Sequence, residues 1–456
     1  MLKKSMNFVV DFNTKALHWG YIPGQHQKCL SPPIYQNTAF EFSSIEEAEA
    51  LNTGKLFGHI YTRISNPTNE ILESRVSALE GGISSIACAS GHAAQFLVIS
   101  TLLQAGDHII SSPYLYGGTY HQFKEQLPRL GIKVDFADPN NPSQVASKIN
   151  NKTKLIYAES LGNPELNPVN IEALATVAHA NKLPLVIDNT LGCCGYLIKP
   201  IRMGADIVIS SLTKWAGGHG NAVGGIITDS GNFEWGNGTF PQFKEANSAY
   251  KGLSFWDEYG FGGPGCQRNR IPFYKNIAFS TRLRLEHLRD WGPCISPFNS
   301  YLILQGIETL GLRVERACHN ALAIAKVLCN HESTQNTRYP GLENDKYHSI
   351  ANQIMTNGYG TIITFELKDG YDAAAMLVNS LLIFKHAANI GDSKSLVLHP
   401  ASTTHSQLSE KEQLDSGVTP SMIRLSIGIE GERDLIEDLE QGLNKVRHTY
   451  SNRSSG

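Results

Sequence analysis

A chain of 456 residues, 41% of them hydrophobic, can bury more than one core, and two domains is the natural expectation. Its 39 basic and 42 acidic residues leave a formal charge of −3, which offers no electrostatic footprint for nucleic acid or an anionic membrane. No stretch approaches the roughly 20 apolar residues of a membrane span, the start MLKKSMNFVVDFNTKALHWG lacks a signal-peptide core, and the eight cysteines are scattered, so a cytoplasmic protein with reduced thiols is expected.

Residues 1–65 contain turn-rich stretches such as SPPIYQNTAF and too little periodicity for a core of their own, which predicts an arm lying on something else. From Asn66 the pattern changes. NPTNEILESRVSALEGG reads as a helix opened by Asn-Pro and closed by glycines. The β-rich runs SSIACAS, HIISSP, KVDFAD, KLIYAES, PLVID and DIVIS then alternate with helical stretches such as HAAQFLVISTLLQAG and NIEALATVAHANK. That alternation predicts an α/β domain over 66–300 with a large, mostly parallel sheet covered on both faces. Within it, residues 231–265 are rich in glycine, aromatics and polar side chains and read as a long insertion, on the surface or over a site. Helical stretches around TRLRLEHLRDW and SPFNSYLILQGIETLGLRVERACHNALAIAKVL lead to a smaller α/β domain over 301–456. There GTIITFEL, LLIFKHA and MIRLSIG read as strands, and GYDAAAMLVNS and RDLIEDLEQGLNKVRH as helices.

In an open α/β sheet ligands collect beyond the carboxyl ends of the strands, so the residues that follow each run carry the most information. Lys214, after DIVISS, sits in a hydroxyl-rich and then glycine-rich loop with Ser211 and Thr213 as phosphate donors. A solvated surface amine is the ordinary alternative for any single lysine; a semi-buried one has a lowered pKa and becomes a nucleophile. Asp188 ends the buried run PLVID, as a cap or as the partner of a protonated ring nitrogen. Ser90, Gly91 and His92 open a helix whose free N–H groups suit a phosphate. Tyr116 follows a strand and can stack on a flat ring or simply pack its loop. Arg424, inside the apolar run MIRLSIG, needs an anion: a substrate carboxylate or a structural ion pair. The histidines His59, His92, His121, His219, His399 and His405 show no paired metal-ligand spacing.

The motifs YTRISNPT, ASGHAA, LYGGTY, AESLGNP, VIDNT, SSLTKW with GGHG, HPASTTH and IRLSIG, in this order, resemble the Cys/Met-metabolism family of pyridoxal-phosphate enzymes. The likeness spans nearly the whole chain. It implies the aspartate-aminotransferase-like fold (fold type I) of PLP-dependent transferases. It also implies that Lys214 carries pyridoxal 5'-phosphate and that Asp188 meets the ring nitrogen. The backbone of Gly91 and His92, with Ser211 and Thr213, would hold the phosphate; Tyr116 would stack on the ring and assist catalysis, and Asn163 would approach the 3-oxygen. Arg424 and Asn389 would hold the substrate carboxylate. Tyr61 and Arg63 would reach the phosphate of a neighbouring subunit, which implies a homodimer with shared sites, commonly paired into a homotetramer.

Within the family, ANIGDSKS with Asn389, Gly391 and Asp392, the insertion near 231–265, and DNT followed by CCGYLIKPI are similar to the sulfhydrylase branch, while Gly118 in LYGG stands where methionine γ-lyases carry a cysteine, which argues against that activity. That implies γ-replacement on O-acetyl-L-homoserine by sulfide or methanethiol. A cystathionine synthase or γ-lyase activity on the same scaffold, and a catalytically silent homologue, are the alternatives. His92, where Gln or Met is more usual, is expected to matter little because the contact is through its backbone, and Cys193 and Cys194 are expected to act as small hydrophobes.

Overall fold

The computed structural model describes residues 10–454 apart from 163, 405, 407, 408 and 416. The chain's first described part carries two short helices, α1 (Phe12–His18) and α2 (Ile45–Asn52), joined by irregular backbone. Asp11 and Ser44 cap them, accepting from the N–H groups of Asn13 and Glu47. Arg284 fastens the end of this segment: its guanidinium donates to the Ile64 carbonyl at 2.8 Å and to Glu73 at 2.6 Å. Helix α3 (Pro67–Glu80) follows, with Asn66 as cap, proline in its first turn and Gly81 at φ 84° as its stop.

Seven strands form the large sheet: β1 (Ser84–Cys88), β2 (His108–Ser111), β3 (Lys133–Phe136), β4 (Thr153–Glu159), β5 (Leu185–Asp188), β6 (Ile207–Ser211) and β7 (Gly225–Asp229). Their order is β1-β7-β6-β5-β4-β2-β3. The six strands read from the sequence are present. β7 adds an antiparallel strand between β6 and β1, while β3, β2, β4, β5 and β6 are mutually parallel. Alternation along the strands fills two cores. Leu155 and Tyr157 of β4 join Leu97 and Val98 of helix α4 (Gly91–Leu102) on one face. Ile156 and Ala158 join α3, helix α5 (Ile171–Ala180) and helix α6 (Pro297–Glu308) on the other.

The aromatic-rich stretch over 231–265 is a packed subcore rather than an open loop. Trp235 is fully buried, stacked on Phe243 and on Phe279 with ring centroids 5.1 Å apart in both cases. It also grips the N-terminal segment, with Phe57 stacked 5.5 Å from Tyr259.

A break at Thr309 separates α6 from α7 (Leu310–Asn330), which packs against a second, smaller sheet. That sheet has the order β10-β11-β12-β9-β8, built from β8 (Thr334–Arg338), β9 (Ile362–Leu367), β10 (Lys385–His386), β11 (Leu396–Leu398) and β12 (Met422–Ser426). Helices α8 (Gly370–Ser380) and α9 (Glu432–Ser454) complete a core with Ile324, Phe365, Ile423, Leu425 and Leu439. The run LLIFKHA departs from expectation, since only Lys385 and His386 are strand. The Asp438 carboxylate accepts from the N–H groups of Leu382, Ile383 and Phe384 at 2.9, 2.8 and 3.2 Å, and those donors are therefore lost to a ladder.

Candidate active site

At the carboxyl ends of β1, β4, β5 and β6, and closed from the other side by β12, lies a cavity of about 240 Å³. Each wall follows from local sequence. After β1, Ser90 caps α4 by accepting from Ala93 N–H at 3.1 Å, which turns the first-turn N–H groups of Gly91 and His92 to the site. Gly91 is required sterically, because a Cβ there would lie 2.8 Å from the Cβ of Ser211 and force the helix start off β6.

Strands β4, β5 and β6 end in Glu159, Asp188 and Ser211, and Glu159 is in register with Asp188. Asp188 Oδ1 accepts from Thr190 N–H at 2.9 Å and from its hydroxyl at 2.6 Å, which fixes the carboxylate at the cavity wall. Burial pushes Asp188 upward from the ordinary carboxylate range, and the Thr190 hydrogen bonds pull it back. Glu159 is pushed well above that range, by burial first and by the Asp188 charge second.

Lys214 lies in the turn after β6 and its Nζ donates to Asn389 Oδ1 at 2.7 Å, joining the two sheets' loops. Burial, with the neighbouring Arg424 charge, lowers its pKa to about 8. Thr213 is tied to Gly224, donating to its carbonyl and accepting from its N–H at 3.2 Å each. On β12 the flanking Ile423 and Leu425 point into the core beneath the smaller sheet, so Arg424 projects the other way, into the cavity, 5% exposed. Burial lowers its pKa to about 10. Tyr116 is 45% exposed, stands edge-on to His92 with centroids 5.7 Å apart, and donates its backbone N–H to Glu159 Oε1 at 2.7 Å.

The structure thus brings together Lys214, Asp188, Ser211, Thr213, Gly91, His92, Tyr116, Asn389 and Arg424 around one space. Tyr61 and Arg63 are not among its lining residues: Tyr61 is exposed, and Arg63 lies 5.4 Å over its ring and donates to the Arg289 carbonyl. Asn163 falls outside the described residues. The sequence reading passed over Glu159, Thr190 and Gln95, which also line the cavity. An acidic residue closing the apolar run KLIYAE was the available signal. A larger cavity, about 760 Å³, lies between the N-terminal segment and α3, but its charges are engaged with one another, Arg284 with Glu73 and His59 with Glu70. Among the described residues no group of three His, Cys, Asp or Glu side chains is arranged to hold a metal, and no helix is long and apolar enough to cross a membrane.

An amine of depressed basicity, a fixed carboxylate, and a helix start whose approach tolerates no Cβ suit a flat aldehyde cofactor bearing a phosphate and a ring nitrogen. The family profile described as Cys/Met metabolism PLP-dependent enzyme matches residues 13–444. The chain belongs to this family. Curated relatives within the Cys/Met-metabolism family include the O-acetyl-L-homoserine sulfhydrylase of Leptospira meyeri, 45% identical over 438 residues that cover 95% of this chain and 96% of the relative. The O-acetyl-L-homoserine sulfhydrylase 1 of Thermus thermophilus is 43% identical over 433 residues, covering 95% of this chain and 99% of the relative. Among solved structures, an O-acetylhomoserine (thiol)-lyase of Campylobacter jejuni that carries an N'-pyridoxyl-lysine-5'-monophosphate superposes with a TM-score of 0.88 at 35% identity, covering 95% of this chain and 100% of that one. The Cys/Met-metabolism fold, a PLP-dependent transferase fold of type I, is therefore the fold of this chain, and its cofactor is pyridoxal phosphate.

Proposed function

We propose that the protein is an O-acetyl-L-homoserine sulfhydrylase: O-acetyl-L-homoserine and sulfide, or methanethiol, give L-homocysteine, or L-methionine, and acetate. The observation that carries this reading is the pairing of a low-basicity Lys214 with Asn389 inside a cavity walled by Asp188 on one sheet and Arg424 on the other. The relatives named above carry the acyl-donor assignment.

Bound pyridoxal phosphate supplies an electron sink for negative charge developed on the substrate's carbon atoms. This chain's residues do the rest. The first-turn N–H groups of Gly91 and His92, with the hydroxyls of Ser211 and Thr213, hold the phosphate, and Asp188 holds the proton on the ring nitrogen. Arg424 receives the substrate carboxylate as a bidentate pair, with Asn389 beside it. Lys214, neutral above about pH 8, takes the proton from the α-carbon, hands it on to the cofactor side of the bound substrate and, neutral again, takes one from the β-carbon. Tyr116 stands over the site to assist departure of acetate from the γ-carbon, after which sulfide adds there and Lys214 returns the protons.

The reading extends to a cytoplasmic homodimer with shared sites, paired into a tetramer. The segment 1–65 serves as the arm that offers Tyr61 and Arg63 to a neighbour, 66–300 as the cofactor-binding domain and 301–456 as the substrate-side domain. An exposed Tyr61 that does not line its own chain's cavity supports this, as does the break at Thr309 between two separate sheets.

The test is an acyl-donor by thiol-acceptor matrix on the purified holoenzyme, read by product mass. Acetate release from O-acetyl-L-homoserine should depend on sulfide or methanethiol. Release without any thiol, with an oxo-acid product, would make it a lyase; cystathionine from cysteine would make it a synthase of that kind.

A further inference from the structure

Glu159 is a buried titratable group with no part in the mechanism above. It is 5% exposed, ends β4, and lines the cavity beside its register partner Asp188. Its Oε1 accepts the backbone N–H of Tyr116 at 2.7 Å, across 43 residues of chain. Tyr116 belongs to the loop between β2 and the next helix; after Ser112, whose N–H meets the Tyr157 carbonyl on β4 at 2.9 Å, the ties are local: Tyr114 N–H to Ser112 Oγ and Leu115 N–H to the Pro113 carbonyl. The Glu159 bond ties the tyrosine's own backbone to the sheet. The ring it carries lies close against Gly118, where a Cβ would fall 2.8 Å from Tyr116 Cε1, so a small shift of that backbone displaces the ring.

We propose that Glu159 is a positioning residue of the active site: as a protonated acid it braces the Tyr116 backbone against the strand end that carries Asp188, fixing the stacking ring relative to the ring-nitrogen partner. The inference rests on the reading of this cavity as the cofactor site. Two buried carboxyls on adjacent strand ends do not both ionise readily, because each opposes the other's charge where little solvent can screen it. Asp188 has two hydrogen bonds from Thr190 to stabilise its charge, whereas Glu159 has the single Tyr116 N–H. Asp188 is thus the member that keeps the charge a pyridinium needs, and Glu159 the member that keeps its proton, in agreement with its strongly raised affinity for one. A neutral carboxyl still accepts the amide hydrogen bond through its carbonyl oxygen.

Three variants separate bracing from charge and from mere folding. Glu159→Gln preserves length, neutrality and the acceptor. Glu159→Asp keeps a carboxyl but withdraws it by one methylene, and Glu159→Ala removes it. For each holoprotein, the visible circular dichroism per bound cofactor reports the stacking geometry, and a fluorescence titration of the cofactor-free protein with pyridoxal phosphate gives the dissociation constant. The expected result is that Gln matches wild type in both. Asp and Ala should lose much of the visible dichroism and bind the cofactor about ten-fold more weakly, the size of one lost buried hydrogen bond. The inference is overturned if Asp and Ala keep the wild-type dichroism and affinity, or if Gln fails as badly as Ala. Should Ala not fold, the contrast of Asp with Gln decides in the same way. Wild-type protein without any visible band would instead sink the assignment of the cavity, which is a separate outcome from indifferent variants in a coloured enzyme.

Discussion

Lys214 Nζ and Asn389 Oδ1 lie 2.7 Å apart although 175 residues of chain separate them. The amine comes from the turn after β6 of the large sheet, and the amide from the loop between β10 and β11 of the small one. Asn389 therefore holds the amine to which the proposed function gives proton transfer, and it lines the same cavity as Arg424, the proposed carboxylate site. Replacing it tests which role dominates. Asn389→Ala is expected to lower kcat about ten-fold, the worth of a hydrogen bond to a charged donor, with a smaller change in KM. Steady-state kinetics with O-acetyl-L-homoserine and sulfide check this; a raised KM at unchanged kcat would assign Asn389 to the carboxylate alone.

The depressed basicity of Lys214 has a stability consequence in the cofactor-free protein. Its pKa is about 8 in the fold against an ordinary 10.5. Between those values the unfolded chain binds a proton that the folded one does not, so this residue's contribution to stability rises with pH across that window. Below about pH 8 the cost of burying a charged amine is fully present. Lys214→Met, without cofactor, is therefore expected to be more stable than wild type at pH 7, with the advantage shrinking as pH climbs from 8 to 10.5. Denaturant unfolding at a series of pH values measures it, and a pH-independent difference would contradict it.

The proposed sharing of sites between subunits predicts complementation. Tyr61→Phe and Lys214→Ala proteins are each expected to be impaired, while mixed dimers hold one site with both native residues. Random mixing should then restore about a quarter of wild-type activity. No recovery after demonstrated subunit exchange would place Tyr61 outside the neighbour's site.

Trp235 offers a control far from the chemistry. It is fully buried among Phe243 and Phe279 and does not line the cavity. Trp235→Ala is expected to destabilise the fold by about 3–5 kcal/mol while leaving kcat near wild type below the new melting temperature. A large kcat loss in protein that is still folded would show that the subcore reaches the site.

The sequence made most of the large sheet legible because its strands are short apolar runs bounded by turn residues, and Lys214, Asp188 and Arg424 stand out as charges at or within such runs. What escaped is what only distance in space reveals. The strand over Gly225–Asp229 follows directly on a glycine-rich loop and was absorbed into it. The aromatics over 231–265 lack helical or strand periodicity, so their burial depends on short irregular helices packing together. LLIFKHA has the composition of a strand, yet one distant carboxylate, Asp438, captures its donors. Glu159 carries the same local signal as Asp188, a carboxylate closing an apolar run, and its place beside Asp188 follows only from strand pairing.

Trp215, next to Lys214, donates its indole N–H to Thr361 at the root of β9, and Gly391 packs against its ring so tightly that a Cβ would lie 2.6 Å away. The proposed carboxylate site at Arg424 and the proposed base Lys214 thus meet at one seam. A substitution at that seam alters the grip on the substrate and the aim of the base together, so selection for a new acyl donor there carries turnover along with it, with no reacting atom touched.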